Sequence, residues 1–123
     1  MSTLNVTNVQ APAEASSTSL KALPKSWVQW SQAATTIVDS LNVSSMDDDG
    51  TGDFGYNMTN AMANNDFCIQ MTAGAGNGSS ASAIATIAGS LIAVSSFDGL
   101  VDTDAGVNVD VAHVCVCTLG LLA

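Results

Sequence analysis

The chain has 123 residues, of which 47% are hydrophobic and only 11% are charged, and its formal net charge is −9. Eleven acidic residues outnumber the two lysines, Lys21 and Lys25, and arginine is absent. Because several Lys or Arg side chains are needed to neutralise phosphates, we expect neither nucleic-acid binding nor contact with an anionic membrane surface. The length predicts one domain, and the shortage of charge predicts a compact β protein that hides part of its surface against neighbouring subunits.

No targeting or membrane segment is predicted. The first residues lack the basic start and the apolar core of a secretory signal. Residues 83–94 form the longest nearly apolar stretch, which Gly89 and Ser90 interrupt, and it is too short to span a bilayer. Three cysteines without an export signal predict reduced thiols.

The N-terminal 25 residues differ in composition from the rest of the chain. A short alternating run is followed by a stretch of small residues, which we interpret as an extended arm over residues 1–25, with a β-sandwich head domain over residues 26–123. Leu4, Val6 and Val9 are flanked by Ser, Thr and Asn and are suited to adding a strand to another chain. A partly disordered terminus is the alternative.

Alternation of apolar and polar residues predicts six to eight short strands in the head. The segments are SWVQWS, TTIVDSLNVSS, DFGYNMT, DFCIQMT, AIATIA, SLIAVSS and VNVDVAHVCVCTLGLLA. In the second segment, a period of two places one set of residues on a single face: Ile37, Asp39, Leu41 and Val43. In the third, Phe54, Tyr56 and Met58 share a face. We predict that AIATIA and SLIAVSS pair as a hairpin, and that the whole forms a sandwich or small barrel.

The segment SSMDDDGTGDFGY has two interpretations, a calcium loop or a sharp turn. Aligned on its central glycine, an EF-hand loop would take Asp47, Asp49 and Asp53 as ligands, but its last position would be Tyr56, where a bidentate Glu is required. We therefore favour a tight reversal between two strands, with the Asp47, Asp48 and Asp49 side chains in solvent. A cation site on Asp47, Asp49 and Asp53 is the weaker alternative.

The segment HVCVC also has two interpretations. A period of two places His113, Cys115 and Cys117 on one face of a strand, and Cys68 is able to join them from another strand. Zinc sites usually present cysteines on C-x-x-C turns, which a flat C-x-C strand does not provide. We therefore favour buried free cysteines in a core strand over a metal site.

The sequence predicts neither an enzyme nor a cofactor. His113 is the only histidine, and no Lys or Arg lies near the acids to tune their pKa. We interpret Asp39 and Asp110, which lie among apolar residues, as edge charges or as partners of a backbone N–H. The segment GAGNGSS lacks the lysine of a phosphate loop. Trp27 and Trp30 are interpreted as packing residues rather than as a carbohydrate-stacking pair.

Residues 26–71 resemble a module that recurs at the ends of tailed-phage tail-fibre proteins and in other small phage virion proteins. Its pattern is a Trp-containing strand, a strand ending in N-V-S-S, a D-x-G-T-G-D turn, an alternating aromatic strand, an A-M pair and an N/D-aromatic start to the next strand. The matching residues are Trp27, Asn42, Val43, Ser44, Ser45, Gly50, Thr51, Gly52, Asp53, Phe54, Ala61, Met62, Asp66 and Phe67. The chain departs from the pattern at Asn57 and Met58, where the family has N-F, in its VCVC closing strand, and in having an arm where a long fibre has a shaft.

The resemblance implies an all-β head, a jelly-roll-like sandwich, that assembles as a homotrimer in a virion built in the bacterial cytoplasm. We predict a non-enzymatic virion structural protein, either a short fibre or a fibre tip, whose arm binds other virion proteins. The residues expected to contact a host surface receptor are Asp47, Asp48, Asp49, Thr51, Asp53, Gly76 and Asn77. The alternative is a capsid decoration (cement) or neck protein whose arm binds the capsid.

Overall fold

The computed structural model of the protein describes residues 23–74, 83–88 and 92–123, together with the backbone of residues 8–9 and 18–19. These residues form strands and connecting turns without a helix, which confirms the all-β prediction. Over the same residues there is accordingly no helix long and apolar enough to cross a membrane. Four residues predicted to act in contacts lie outside the described residues: Leu4, Val6, Gly76 and Asn77.

The described residues contain ten strands. They are β1 (Asn8–Val9), β2 (Thr18–Ser19), β3 (Pro24–Ser31), β4 (Thr36–Leu41), β5 (Val43–Gly50), β6 (Asp53–Met58), β7 (Cys68–Gly74), β8 (Ala83–Ala88), β9 (Ser96–Thr103) and β10 (His113–Leu119). Strands β1 and β2 pair with each other, and the other eight form two four-stranded antiparallel sheets. Strand β3 begins at Pro24, two residues before the predicted start of the head.

The two sheets of the head pack as a β-sandwich. The first sheet has the strand order β4-β3-β10-β7 and contains all three cysteines, and we call it the thiol sheet. The second has the order β5-β6-β9-β8. We call it the acidic sheet, because its strands carry six carboxylates: Asp47, Asp48, Asp49, Asp53, Asp98 and Asp102.

Aromatic side chains fill the space between the sheets. Trp30 of the thiol sheet lies 5.4 Å from Phe54 of the acidic sheet, measured between ring centroids, and Tyr56 stacks on Phe97 at 4.7 Å. All four rings are almost completely buried. Burial of each ring stabilises the fold by roughly 2–3 kcal/mol relative to exposure. These contacts explain why Phe54, Tyr56 and Met58 share a face as predicted, since all three point into this core.

One polar contact joins the two sheets inside the core. The Tyr56 hydroxyl donates a hydrogen bond to Ser26 Oγ at 2.7 Å, and Ser26 also bonds the hydroxyl of Thr118. Both small hydroxyl residues are fully buried on the inner face of the thiol sheet. Burial raises the pKa of Tyr56 to about 12, and the bond to Ser26 lowers it in part. Tyr56 is therefore neutral at physiological pH, with its hydroxyl satisfied.

The prediction that Ile37, Asp39, Leu41 and Val43 share a face is wrong. Strand β4 ends at Leu41, and Asn42 adopts a left-handed backbone conformation, with φ of 57°, that redirects the chain into the acidic sheet. A register shift in the pairing with β3 also breaks the alternation. Asparagine tolerates this conformation better than most residues. Its side chain holds the corner by donating to the carbonyls of Lys25 and Asn60.

The predicted hairpin between AIATIA and SLIAVSS is also wrong. Strand β8 does form over AIATIA, but it pairs with β9, whose sequence SFDGLVDT the pattern did not predict as a strand. Residues 92–95 are outside the strands, where Val94 and Ser95 accept backbone hydrogen bonds from Met62 and Met58. The predicted long final strand is limited to β10, since residues 107–112 form a connection that packs back on β9.

The strand directions define two ends of the sandwich. The Thr51 end contains the turns at residues 32–35 and 51–52 and the connection at residues 104–112. The Leu23 end contains residues 23–24, Asn42 and the segments 59–67 and 120–123. The chain therefore enters the head at one end and makes the β5–β6 turn at the other.

Candidate interaction surfaces

The β5–β6 hairpin confirms the predicted tight reversal but places the acids differently. The turn itself is Thr51 and Gly52, and Gly52 has a left-handed φ of 74°. Asp47, Asp48 and Asp49 belong to strand β5 and are exposed, so they are strand residues rather than loop residues. The prediction missed this because Asp and Gly in sequence favour a turn, whereas pairing with β6 extends the strand to Gly50.

A glycine on β6 makes room for a group of carboxylates on the outer face of the acidic sheet. Gly55 pairs with Asp47 on one side and with Asp98 on the other. A Cβ atom added to Gly55 would lie 3.3 Å from Oδ2 of both Asp47 and Asp49. The two carboxylates therefore lie side by side over β6, in the space that a larger residue would fill.

The environment of Asp49 is unfavourable to charge. Partial desolvation raises the pKa of Asp49, and the negative charges of Asp53, Asp47 and Asp98 raise it further. Asp47 is better compensated, because Asn57 Nδ2 donates to its Oδ2 at 2.7 Å. Among the described residues, no three His, Cys, Asp or Glu side chains are placed to hold a metal ion, including the candidate set of Asp47, Asp49 and Asp53.

Asp110 and Asp39 are confirmed as partners of backbone N–H groups. Asp110 Oδ1 accepts a hydrogen bond from the Gly52 amide at 2.7 Å, which ties the β5–β6 turn to the connection before β10. Asp39 Oδ1 accepts from the Ser40 amide at 2.8 Å on β4, an edge strand. His113 lies on β10 of the thiol sheet, whereas the β5–β6 hairpin belongs to the acidic sheet.

The HVCVC segment lies on β10, with its histidine and cysteines on the outer face of the thiol sheet. His113, Cys115 and Cys117 share one face of β10 as predicted, but that face points outward, while Val114 and Val116 point into the core. Cys115 is exposed and Cys117 is half-buried. The prediction of buried cysteines is therefore wrong. The sequence does not distinguish the two faces of β10, because both are apolar and only the position of the opposing sheet decides which one is inside.

Cys68 joins this face from the neighbouring strand. It is exposed on β7 and pairs with Leu119, which puts it diagonally across from Cys117. Burial raises the pKa of the Cys117 thiol, and the nearby Cys68 adds to the rise. A raised pKa keeps Cys117 protonated at neutral pH, which lowers its reactivity and its affinity for metals.

A groove of about 360 Å³ runs over the centre of the thiol sheet. The side chains around it come from β3, β10 and β7: Trp27, Gln29, Cys115, Cys117, Gln70 and Thr72. Within these three strands there is no carboxylate, and Asp39 on the neighbouring β4 is the acid of this sheet. Reasoning from the sequence missed this surface, although the signal was available in the outward positions that alternate with Val28 and Val116.

No family model, no curated protein and no solved structure matches the chain.

Proposed function

We propose that the chain is a non-enzymatic structural protein of a phage particle, a short homotrimeric fibre or fibre tip that is exposed on the virion and attaches to the host surface. The observation that carries the proposal is the separation of the two ends of the head. The chain enters at Leu23, and the exposed acidic hairpin with its Thr51–Gly52 turn lies at the opposite end. A tether at one end leaves the turns of the other end free for contact.

The arm would bind other virion proteins. Residues 1–23 precede the first strand of the sandwich, and the described part of them includes the short β1–β2 pair, in which Val9 pairs with Thr18. In this interpretation the arm is the tether and the head is the displayed domain. The head is a β-sandwich in which β3–β4, β5–β6 and β8–β9 are hairpins that each stay within one sheet.

The distribution of carboxylates supports a role without catalysis. Asp47 and Asp49 are close neighbours, and they lie on one exposed strand rather than across a cleft. Glycoside hydrolysis needs two carboxyl groups on opposite sides of a bound sugar. Contact of this surface with a host receptor requires only shape and hydrogen bonding, which the exposed hairpin supplies.

A capsid decoration or neck protein is the second candidate, and the charge of the Thr51 end favours it. Asp48, Asp49, Asp53 and Asp104 lie at or near this end without a described cation among them. Like charge opposes approach to an anionic cell surface. In the decoration interpretation, the arm binds the capsid and the acidic end stays in water, so the head needs no receptor.

Labelling of intact particles tests the proposal. Virions released from cells that encode the chain are purified and probed with a gold-labelled antibody raised against the full chain. Label at the tail extremity supports the fibre, label on the capsid or neck supports the decoration protein, and particles that contain none of the chain contradict both.

Binding assays with the purified chain separate the two candidates further. The fibre predicts binding to host cells, and the decoration protein predicts binding to empty capsids that lack tails. Thr51→Lys at the exposed turn is expected to change cell binding. Thr59→Lys, an exposed threonine at the Leu23 end, is the matched control and is expected to leave it unchanged. Equal effects of the two substitutions would contradict adhesion through the Thr51 end.

A further inference from the structure

Within the described residues, the outer face of the thiol sheet carries little charge, since Lys25 on β3 and Asp39 on β4 are the charged residues of its four strands. Its central strands β3, β10 and β7 expose Trp27, Gln29, Gln70, Thr72 and the thiols around the 360 Å³ groove. These strands contain no carboxylate, whereas the acidic sheet carries six. Depletion of charge together with an aromatic side chain is the composition of an interface core.

The net charge of the whole chain restricts which partners are able to bind this face. At −9, two copies repel each other wherever their acidic sheets or Thr51 ends approach. On the thiol sheet, copies are able to approach through the three strands that carry no carboxylate, because Asp39 lies on the edge strand β4, opposite Gln29 at the side of the groove. A cationic partner would have no carboxylate to pair with at the centre of this face.

The side chains of the face are also complementary to themselves. Gln29 and Gln70 each carry an amide that both donates and accepts, and Thr72 carries a hydroxyl that does the same. Copies of these groups can therefore hydrogen-bond to one another when desolvated, which carboxylates cannot do. Trp27 lies between Leu41 and Cys117 on the neighbouring strands, and Leu41 is 50% exposed, which extends the apolar area sideways.

We infer that the outer face of the thiol sheet is the surface through which the chain binds copies of itself, with the groove around Trp27 turned toward the axis of the assembly. This rests on the homotrimer of the proposed function and names the face that builds it. The acidic sheet then lies on the outside of the assembly, where water and counter-ions screen its charge.

The test compares two identical substitutions on opposite outer faces of the full-length chain. Thr72 on β7 and Thr86 on β8 are both exposed strand threonines, the first at the groove and the second on the acidic sheet. Thr72→Glu is expected to weaken self-association at least about tenfold in analytical ultracentrifugation, because each copy adds a carboxylate to the contact. Thr86→Glu is expected to leave it unchanged. Gln70→Glu, which preserves side-chain shape, is expected to repeat the effect of Thr72→Glu.

Cross-linking of the native thiols provides an independent measurement. A short bismaleimide is expected to join Cys115 of different copies into covalent oligomers, and Cys115→Ser is expected to reduce them. In a background with all three cysteines replaced by serine, Thr86→Cys is expected to give none. Circular dichroism confirms that each variant keeps its strands.

The outcomes distinguish failure of this inference from failure of the proposed function. A stable trimer that tolerates both Thr72→Glu and Gln70→Glu, without thiol cross-links, would overturn the face and leave the trimer standing. A monomer at every concentration up to about 100 µM, a level at which weak specific contacts form, would overturn both the face and the homotrimer. A monomer that binds glycans through Trp27 would assign the groove to carbohydrate and overturn the inference as well.

Discussion

The two sheets of this head are alike on the inside and different on the outside. Trp30 on one and Phe54 on the other meet in the same core, and the buried residues are mostly apolar, with Ser26, Thr118 and Gln32 as the buried polar ones. On the outer faces, the acidic sheet gathers Asp47, Asp49 and Asp98 around Gly55, while the centre of the thiol sheet carries Gln, Thr, Cys and Trp27. Folding requires only the inner faces, and the proposed self-association through the thiol sheet accounts for the difference outside.

The acidic face is tolerated at a cost in stability that the thiol face does not have. Partial desolvation and the neighbouring carboxylates raise the pKa of Asp49, which means that its charged form is less stable in the fold than in the unfolded chain. Such a face remains favourable only in water, where screening reduces the repulsion. Four substitutions test how the acidic hairpin is held, how the sheets are joined and how large this cost is.

The largest effect is expected at Gly52, which holds the acidic hairpin in place. A Cβ atom there would lie 2.5 Å from the Val101 carbonyl oxygen and 2.9 Å from the Val109 amide nitrogen, and φ is 74°. Gly52→Ala is expected to lower the free energy of unfolding by roughly 3 kcal/mol, measured by urea denaturation, because it adds overlap with backbone atoms to the strain of a left-handed conformation.

Gly106→Ala is the matched control for this substitution. Gly106 has nearly the same φ, 71°, but nothing lies within 4 Å of the position that a Cβ atom would take. It therefore reports the conformational cost alone, about 1 kcal/mol. Equal losses for the two variants would show that the turn is not packed against β9.

Asp110 is expected to show the next largest effect, since it differs from the other acids of the Thr51 end in accepting a hydrogen bond from the turn. Its Oδ1 accepts from the Gly52 amide at 2.7 Å. Asp110→Ala leaves that amide without this acceptor and is expected to cost about 1.5 kcal/mol. Asp110→Asn keeps an oxygen acceptor and is expected to cost less than half as much. If Asn proved as damaging as Ala, the charge rather than the bond would be the stabilising feature.

The contrast between the sheets also shows what the sequence could predict. The inner faces were predictable in part, because Phe54, Tyr56 and Met58 alternate with polar or small residues and burial enforces that pattern. The outward direction of Cys115 and Cys117 was not, since valine and cysteine are both apolar and one strand does not reveal where the second sheet lies. The same limit hid the groove around Trp27.

Strand β9 was missed for a related reason. Its buried positions are Phe97, Gly99 and Val101, and glycine in the middle breaks the apolar signal. In the fold the ring of Phe54 occupies the space beside Gly99, within 2.2 Å of where a Cβ would be. A side chain of β6 therefore fills the space that a side chain at Gly99 would occupy, and the sequence of β9 alone does not indicate this.

Tyr56→Phe tests the polar link between the two sheets. It removes the hydrogen bond to Ser26 but keeps the ring, so we expect a loss of about 1 kcal/mol at pH 7. The pKa of Tyr56 is about 12 in the fold against 10.0 as its ordinary value. The stability of the wild-type chain therefore does not depend on this hydroxyl's ionisation below pH 10, and it falls by roughly 2 kcal/mol as the pH rises to 12, because the unfolded chain releases the proton first.

The variant itself is the control for that pH dependence. Tyr56→Phe lacks the titrating group, so its stability should fall less steeply than that of the wild type between pH 10 and 12, and the two curves should cross or converge there. Parallel curves over this range would mean that the hydroxyl is not buried between the sheets.

Asp49→Asn is expected to give the smallest effect, and it measures the repulsion on the acidic face directly. The pKa of Asp49 is raised by partial desolvation and by Asp53, Asp47 and Asp98, so the charge destabilises the fold at neutral pH. Removing it is expected to stabilise the protein by about 0.5 kcal/mol at low salt, a value typical of exposed charges.

Because the folded-state pKa of Asp49 is above the ordinary 3.8, lowering the pH toward that value protonates the folded wild type first, and its stability rises relative to the variant. The advantage of Asp49→Asn should therefore shrink both in acid and in 0.5 M salt, whereas Asp39→Asn on the thiol sheet should show no such gain. A variant that is less stable than the wild type at neutral pH and low salt would mean that the carboxylates around Gly55 attract a cation that offsets their repulsion.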